Sequence, residues 1–385
     1  MRTGDHLGQE EKRYLKVKFH SKCLEGNPLG SPADRELAIY LPPNYFKESK
    51  PYPVIYFLHG YGSNSDRLTV YEDAESFWGK ETAERLKLLG IDLDVFPSYK
   101  RFDKLILEGE MEPVIFVQPD ASLHLKPIHD MSAFGELYAK QTKGSFYVNS
   151  PYAGNYEDYI VKDVIEYVDS NFRTIPDRSY RAIMGVSMGA LGTINLSARH
   201  PDKFIAASAL SGAPTLSYIL SEHEFLRHIK EPPNLAPGLS KLGLPQHVLN
   251  EFAKKFWDDG LDTMELVFSP KENRLRPTIK EEADGTITYD RSAFKNFKEN
   301  FKKYAVNYTL EHLEVFKEVN LQLKCNLYDP LAPSVELFHE FLELSKIPHN
   351  YELYVGKEYE FSPHILGCLL QIIPAMKFCI KHFGH

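Results

Sequence analysis

The sequence lacks the features of several classes of protein. Only four of its 385 residues are cysteine: Cys23, Cys325, Cys368 and Cys379. None belongs to a CxxC pair, so the sequence predicts neither a zinc site nor a disulfide framework. The formal net charge is -8 and there is no basic block, whereas nucleic-acid phosphates are bound by clustered lysine and arginine. No apolar run approaches the roughly 18 residues of a membrane-spanning helix. We expect no metal, no nucleic-acid partner and no membrane span.

The overall composition is that of an ordinary globular protein. Hydrophobic residues make up 43% of the chain and charged residues 25%, close to the averages of globular domains. The length would allow two or three domains, but large α/β folds often carry insertions on one sheet, so we expect a single domain over 1–385. Met1–Glu10 is polar and lacks the apolar core of a signal peptide, which predicts a cytoplasmic location unless a signal has been removed.

Two kinds of apolar pattern predict a sheet. Apolar and polar residues alternate in the segments 15–19 and 37–41, as in an antiparallel edge pair. Helical patterns such as Ile160, Val164 and Val168 follow later in the chain. These helical patterns lie between continuous apolar runs, which are typical of parallel strands covered on both faces. The runs are 54–58, 114–117, 181–184, 205–210, 321–327 and 351–355. The alternation predicts an α/β fold with a mostly parallel central sheet flanked by helices, and chemistry at the carboxyl ends of its strands.

One long interval interrupts this alternation. From 214 to 319 there is no strand run, and apolar residues recur at helical spacing, as in Phe294, Phe297 and Phe301. Asp284-Gly285 predicts a turn. An aromatic stripe of this kind usually packs into a core, but a helical cap over an active site has the same pattern. We therefore expect a mainly helical insertion or cap before the strand run 321–327.

The most specific motif is the pentapeptide from Gly185 to Gly189, Gly-Val-Ser-Met-Gly. It lies between an apolar run and a run of small residues, which predicts a strand, a sharp turn and a helix with Ser187 at the apex. The glycines are needed because strand and helix approach each other closely there. This pattern is typical of a nucleophile elbow, with Ser187 as the nucleophile. The alternative is an ordinary turn between a strand and a helix.

A serine hydroxyl becomes a good nucleophile only beside a base, and that base must be oriented by a carboxylate. With the elbow in the middle of the sheet, we expect the acid and then the histidine later in the chain. Asp329 follows the run 321–327, and His364 follows the run 351–355. Both therefore lie at predicted carboxyl ends of strands. The alternative role for Asp329 is to cap the helix that follows it.

Acyl transfer also requires two backbone N–H donors for the negative oxygen of the transition state. The first is expected from Met188, directly after the serine. The second is expected from the loop after the run 54–58, which begins His59-Gly60-Tyr61, and most directly from Tyr61. His59-Gly60 by itself is also compatible with an ordinary turn at a strand end.

Taken together, these motifs resemble the "Putative esterase" family of the α/β-hydrolase superfamily. That family includes S-formylglutathione hydrolases (esterase D), feruloyl and acetyl-xylan esterases, and mycobacterial mycolyltransferases. The resemblance covers most of the chain through the phrases Tyr40–Pro43, Leu58–Gly60, Gln118–Asp120, Tyr147–Ser150, Gly154–Asp158, Gly185–Gly189 and His200–Phe204. It implies the α/β-hydrolase fold, with Ser187, Asp329 and His364 as catalytic triad and with Tyr61 and Met188 at the oxyanion hole.

The chain departs from the family pattern in two places. Asn326-Leu327-Tyr328 stands before the acid, where a glycine-containing turn is usual, and Phe361-Ser362-Pro363 stands before the histidine, where relatives usually have a glycine. Both departures adjoin residues of the predicted triad. They therefore concern the assignment of Asp329 as the acid and of His364 as the base, and they do not affect the serine motif.

The predicted function is that of a serine carboxylic ester hydrolase, which forms an acyl-enzyme from a small acyl, feruloyl or thioester substrate and needs no cofactor. Acyl transfer to a sugar or another alcohol would use the same residues. A catalytically silent homologue that binds a saccharide or a protein is a further alternative.

Three residues are candidates for substrate binding: His59, Asn149 and Tyr152. The family resemblance brings the loop that holds Asn149 and Tyr152 near the cleft. A helix-entry loop with local hydrogen bonds explains these two equally well.

Overall fold

A single large sheet forms the centre of the protein. The structure is a computed structural model that describes residues 12–65, 75–76, 79–88, 90–130, 142–217, 221–232, 245–275, 279–357 and 362–384. The strands are β1 (Tyr14–His20), β2 (Asp34–Tyr40), β3 (Val54–Leu58), β4 (Ile115–Pro119), β5 (Asn149–Ser150), β6 (Gly154–Asn155), β7 (Arg181–Val186), β8 (Ala206–Leu210), β9 (Lys280–Glu281), β10 (Ile287–Thr288), β11 (Asn320–Asn326) and β12 (Asn350–Tyr354). The large sheet has the strand order β1-β2-β4-β3-β7-β8-β11-β12.

The directions of the strands confirm the mostly parallel sheet. β1 pairs with β2, and β2 with β4, in antiparallel fashion. From β4 to β12 every neighbouring pair is parallel. The predicted antiparallel pair therefore lies at one edge of the sheet, as expected, and β7 lies in the middle.

Helices cover both faces of this sheet. They are α1 (Lys80–Leu88), α2 (Tyr99–Leu107), α4 (Met188–Arg199), α5 (Glu222–Lys230), α6 (Gln246–Phe268), α7 (Arg291–Ala305), α8 (Asn307–Glu311), α9 (Ala332–Leu344), α10 (Ile365–Leu370) and α11 (Ile372–Lys381). α3 is a composite of Tyr156–Asp158, Tyr159–Val164 and Ile165–Asn171, and its middle part is π-helical. Among the described residues, no helix combines the length and the apolarity needed to cross a membrane.

The alternation of side chains along the strands divides the core into two layers. In β3, Val54, Tyr56 and Leu58 belong to one layer, and Ile55 and Phe57 to the other. The first layer also holds the buried faces of α3, α4, α9 and the helices between 222 and 305. The second holds those of α1, α2, α10 and α11. Both faces of the strand are buried, which explains why its sequence is continuously apolar.

The interval from 214 to 319 is mainly helical where the structure describes it, as the sequence predicts. Its aromatic stripe Phe294, Phe297 and Phe301 is buried in the first core layer, so the stripe packs as core. The sequence pattern missed a short hairpin formed by β9 and β10. Each of its strands is two residues long, too short to show a period of two. The predicted turn at Gly285 connects them, and its φ of +84° is readily available to glycine.

Candidate active site

Ser187 occupies the tight turn between β7 and α4. Its backbone has φ 54° and ψ -117°, a conformation that non-glycine residues rarely adopt and that stores strain. The turn is possible because its flanking residues are glycine. A Cβ on Gly185 would lie 2.4 Å from the carbonyl oxygen of Gly189, and one on Gly189 would lie 2.0 Å from that of Leu58. The predicted strand, turn and helix are therefore present, and they hold the serine at the carboxyl end of a central strand.

Three side chains that are distant in the sequence form one hydrogen-bonded chain. Nε2 of His364 is 2.9 Å from Oγ of Ser187, and Nδ1 of His364 is 2.8 Å from one carboxylate oxygen of Asp329 and 3.0 Å from the other. A carboxylate only accepts hydrogen bonds, so Nδ1 carries the proton and donates it. Nε2 then presents its lone pair to the serine hydroxyl. His364 and Asp329 are buried, and Ser187 is half-buried.

Asp329 is held by the turn that follows β11. Its Oδ1 accepts a hydrogen bond from the backbone N–H of Leu331 at 2.8 Å, just before α9 begins. The carboxylate thus binds both the turn that leads into α9 and His364, whereas α9 itself begins without a side-chain cap. The catalytic role of Asp329 stays a prediction. The departure from the family pattern at Asn326 is compensated locally, because its side-chain oxygen accepts from the N–H of Tyr328 at 2.9 Å. Such an Asx turn can replace a glycine-containing turn.

His364 is held by the start of α10. The hydroxyl of the preceding Ser362 accepts a hydrogen bond from the N–H of Ile365 at 3.1 Å, and the carbonyl of Ser362 accepts from two further N–H groups. Ser362 is buried. The serine that replaces the usual glycine pattern therefore serves as a cap that fixes the histidine.

Cys368 lies beside this chain of residues. Its sulfur and the donor atoms of Asp329 and His364 all lie within 4.8 Å of one another. Burial raises the pKa of the Cys368 thiol well above its usual range, so the sulfur stays protonated at neutral pH and is a poor metal ligand. Nδ1 of His364 is already bound to the carboxylate. The group therefore fits a proton-transfer chain better than a metal centre.

Met188 directly follows the serine, and the loop that holds Tyr61 passes beside it. Met188 is the first residue of α4, and the first N–H groups of a helix have no partner within it. On the other side, a Cβ on Gly60 would lie 3.4 Å from the Cβ of Ser187, so the loop after β3 passes directly by the serine. Tyr61 follows Gly60 in that loop. The start of α4 and the loop after β3 therefore both lie next to Ser187.

The side chain of Tyr61 connects this loop to α6. Its ring packs edge-to-face on Phe256 with centroids 5.4 Å apart, and its hydroxyl is 3.2 Å from Oγ1 of Thr263. The segment that begins at Thr142 binds the loop after β3 through the carbonyl of Ser63. In that segment, Nζ of the buried Lys143 is 2.6 Å from the carboxylate of Asp262 and 3.8 Å from that of Asp259 on α6. Burial raises the pKa of Asp259. α6 is thus joined to the loops beside the serine by aromatic, polar and ionic contacts, a connection that sequence reasoning missed.

His59 is buried beneath the loop. Its Nδ1 is 2.9 Å from the carbonyl of Gly60 and its Nε2 accepts from the N–H of Ala121 at 3.1 Å. Both ring nitrogens therefore bind backbone, and direct contact with a substrate finds no support in this geometry. The ring instead links the loop after β3 to the loop after β4.

Asp120 lies next to His59, with Oδ1 4.0 Å from its Nε2, in the loop after β4. Burial raises the pKa of this carboxylate, but the hydrogen bond from His124, the charges of the two histidines and the N–H of Ser122 outweigh it and bring the pKa to about 2. Nε2 of His124 is 2.8 Å from the carboxylate. Asp120 is therefore ionised at neutral pH and holds His124 in an ion pair when that ring is protonated.

Asn149 and Tyr152 make local contacts. The side-chain oxygen of Asn149 accepts from the N–H of Asp158 in the first turn of α3 at 3.1 Å. The N–H of Tyr152 donates to the hydroxyl of Ser150 at 3.1 Å. Such contacts are those of a helix-entry loop, which is the alternative to substrate binding for these two residues. Their role in substrate binding stays a prediction.

The relatives of the chain are esterases. The model of the family described as "Putative esterase" matches residues 31–283, a span that includes Ser187 and ends before Asp329. An esterase of Mycobacterium tuberculosis is 23% identical over 213 residues, which are 54% of this chain and 34% of that protein. The endo-1,4-beta-xylanase/feruloyl esterase of Xylanibacter ruminicola is 24% identical over 195 residues, 50% of this chain and 21% of that protein. The matched part of the chain thus spans about a third or less of the length of these curated relatives.

The solved structure of a ferulic acid esterase resembles the whole fold. It superposes with a TM-score of 0.52 at 19% identity and covers 96% of this chain and 98% of its own. At this identity the likeness shows the fold alone. The chain belongs to the "Putative esterase" family and has the α/β-hydrolase fold.

Proposed function

We propose that the protein is a serine carboxylic ester hydrolase that works through an acyl-enzyme. The single observation that carries the proposal is the hydrogen-bonded chain from Oγ of Ser187 through both ring nitrogens of His364 to Asp329. An unassisted serine hydroxyl is a weak nucleophile, and this arrangement supplies both the base and the group that orients it.

In the proposed acylation step, Oγ of Ser187 attacks the carbonyl carbon of the ester while its proton moves to Nε2 of His364. The carbonyl oxygen becomes negative and accepts hydrogen bonds from the N–H groups of Met188 and Tyr61. The imidazolium, stabilised by Asp329, then returns the proton to the leaving alcohol or thiol as the bond to the carbonyl carbon breaks. The acyl group is left on the serine.

Deacylation reverses the roles with water as the nucleophile. His364 accepts a proton from a water molecule, whose oxygen attacks the acyl carbon, and then protonates Oγ of Ser187 as the acid is released. Apart from the substrate and water, the steps draw only on side chains and backbone groups of the chain. No external oxidant, reductant or cofactor is required.

We further propose that 1–385 forms one hydrolase domain and that the insertion 214–319 acts as a cap on its active site. The supporting contacts are those of α6 with Tyr61, through Phe256 and Thr263. Because Tyr61 is a proposed oxyanion donor, the insertion would position the loop that stabilises the transition state. The acyl or alcohol pocket would then be shared between the insertion and the sheet.

The substrate class is proposed as a small acyl, feruloyl or thioester compound. Feruloyl esters enter the proposal because a curated relative carries the name feruloyl esterase. A panel of p-nitrophenyl esters of increasing chain length, methyl ferulate and a glutathione thioester would rank the acyl and leaving groups by kcat/KM.

The direct test of the proposed mechanism is Ser187→Ala with p-nitrophenyl acetate as substrate. We expect kcat to fall by roughly 10⁴ to 10⁶ because the nucleophile is lost while the fold is kept. Ser49→Ala is the matched control, since Ser49 is exposed and has no proposed role. Turnover by the Ser187 variant at the rate of the control would contradict the proposal.

A further inference from the structure

Two histidines and a glutamate form a cluster at the opposite end of the sheet from Ser187. His339 and Glu343 lie one turn apart on α9, and His349 immediately precedes β12. Nδ1 of His339 is 2.8 Å from Nε2 of His349, and one potential ligand atom from each of the three residues lies within 4.8 Å of the other two. In a parallel sheet the start of β12 lies at the amino end, whereas Asp329 and Ser187 lie at carboxyl ends.

Both rings are held in fixed orientations by their neighbours. Nδ1 of His349 is 2.8 Å from the carbonyl oxygen of Ile347. A carbonyl only accepts, so Nδ1 carries the proton and Nε2 presents a lone pair towards His339. The ring of His339 stacks on that of Tyr351 with centroids 3.7 Å apart and an angle of 9°. A backbone carbonyl that fixes the tautomer of a histidine is the usual support of a metal-binding imidazole.

Acidic side chains of α9 lie around the cluster. Glu336 and Glu340 lie on the same helix as Glu343, and all three act electrostatically on His339. Both rings are half-buried, and Glu343 is exposed. Its side chain is therefore free to turn towards an ion between the two rings, where solvent would complete the coordination.

We propose that His339, His349 and Glu343 bind a divalent transition-metal ion of the zinc class. Two imidazole nitrogens and a carboxylate suit a borderline ion such as Zn²⁺, Co²⁺ or Ni²⁺, whereas Mg²⁺ and Ca²⁺ prefer oxygen ligands. Two Zn–N bonds at a tetrahedral angle separate the nitrogens by about 3.3 Å. The ion is accommodated when the present 2.8 Å contact opens by roughly half an ångström and the proton of His339 moves from Nδ1 to Nε2, which frees the Nδ1 lone pair.

The proposed ion has a structural role. α9 follows Asp329, and β12 precedes His364, so an ion held between them links the two segments that carry the acid and the base. It lies far from the reacting atoms and takes no part in ester cleavage. The sequence predicts no metal site here, because the two histidines are ten residues apart and meet only through the packing of α9 against β12.

Titration of the metal-stripped protein with ZnCl₂ by isothermal calorimetry tests the site. We expect one equivalent of Zn²⁺ to bind to the wild type, with affinity reduced at least about tenfold in His339→Ala and His349→Ala. Glu343→Gln alters an exposed side chain and so keeps the fold. It should also weaken binding. Bound Co²⁺ should show the intense visible absorption of a four-coordinate site, and Zn²⁺ should raise the melting temperature.

Two controls locate the ion. His247→Ala removes an exposed histidine of α6 and should leave the affinity unchanged. His364→Ala disrupts the other described group of potential ligands, Asp329, His364 and Cys368, and should also leave it unchanged. Binding that persists undiminished in Glu343→Gln and in both cluster histidine variants would overturn the proposal, as would binding lost only in His364→Ala. Neither result depends on whether the protein cleaves esters.

Discussion

Replacing Asp329 by Asn changes one atom of the proposed triad and leaves its volume almost unchanged. Oδ1 of Asp329 accepts hydrogen bonds from Leu331 N–H and His364, and Oδ2 accepts from His364 alone. The Leu331 N–H needs an acceptor, so the amide oxygen of Asn takes the Oδ1 position. The NH₂ group then faces Nδ1 of His364. Because it donates, the ring must move its proton to Nε2, and the lone pair that faces Ser187 is lost.

The size of the effect follows from the loss of the base. A histidine with the wrong tautomer cannot accept the serine proton, and substitutions of this kind lower kcat by about 10⁴. That factor corresponds to about 5 kcal/mol of transition-state stabilisation. The contact with Leu331 is kept, so the free energy of unfolding should change by no more than about 1 kcal/mol, the value of one hydrogen bond.

Steady-state hydrolysis of p-nitrophenyl acetate measures the effect, and urea denaturation checks the fold. Asp202→Asn is the matched control, because the same chemical change is made at an exposed carboxylate. We expect the control to keep wild-type activity within about twofold. A loss of less than about tenfold in the Asp329 variant, with the fold intact, would refute the reasoning and point to another carboxylate.

Three further predictions concern the supports of the site. Gly189→Ala places a Cβ 2.0 Å from the backbone oxygen of Leu58 and should lower the free energy of unfolding, measured in urea, by about 3 kcal/mol. Gly260→Ala, with open space around its Cβ, should raise it by up to about 1 kcal/mol. Equal urea midpoints for the two variants would contradict the steric cause given. The pKa of Asp120 is lowered to about 2, so its contribution is present above pH 4 and lost as the pH falls through 2. Asp120→Asn should therefore cost about 2 kcal/mol at pH 7, and a difference from wild type that stays constant down to pH 2 would be inconsistent with the cause given. Ser362→Ala removes the cap at Ile365 N–H and should lower the free energy of unfolding by about 1 kcal/mol, with an unchanged urea midpoint counting against a capping role.

The elements that the sequence predicted well are those with a local cause. The residues of β3 are apolar throughout because both faces of the strand are buried, and a continuous run of this kind is visible without knowledge of the neighbours. The turn at Ser187 was predictable because its glycines meet backbone at 2.0 to 2.4 Å. Asp329 and His364 followed from their places after strands, since parallel strands bring their carboxyl ends to one edge.

The features that sequence reasoning missed depend on contacts between distant segments. The sequence shows His59 only as a histidine at the end of a strand, whereas the structure shows that its ring accepts a hydrogen bond from the N–H of Ala121. Lys143 meets Asp262 only because α6 packs beside the serine loops. His339 and His349 meet only when α9 lies against β12. None of these pairs has a spacing that a periodic pattern would reveal.

The most direct test of the central claim is to react the protein with a fluorophosphonate and locate the adduct by peptide mass spectrometry. We expect one adduct per chain, on Ser187, because its hydroxyl has a base at 2.9 Å that is itself held by a buried carboxylate. The adduct should be absent in Ser187→Ala and should form far more slowly in Asp329→Asn. Labelling of a different residue, or no labelling of the folded wild type, would contradict the account.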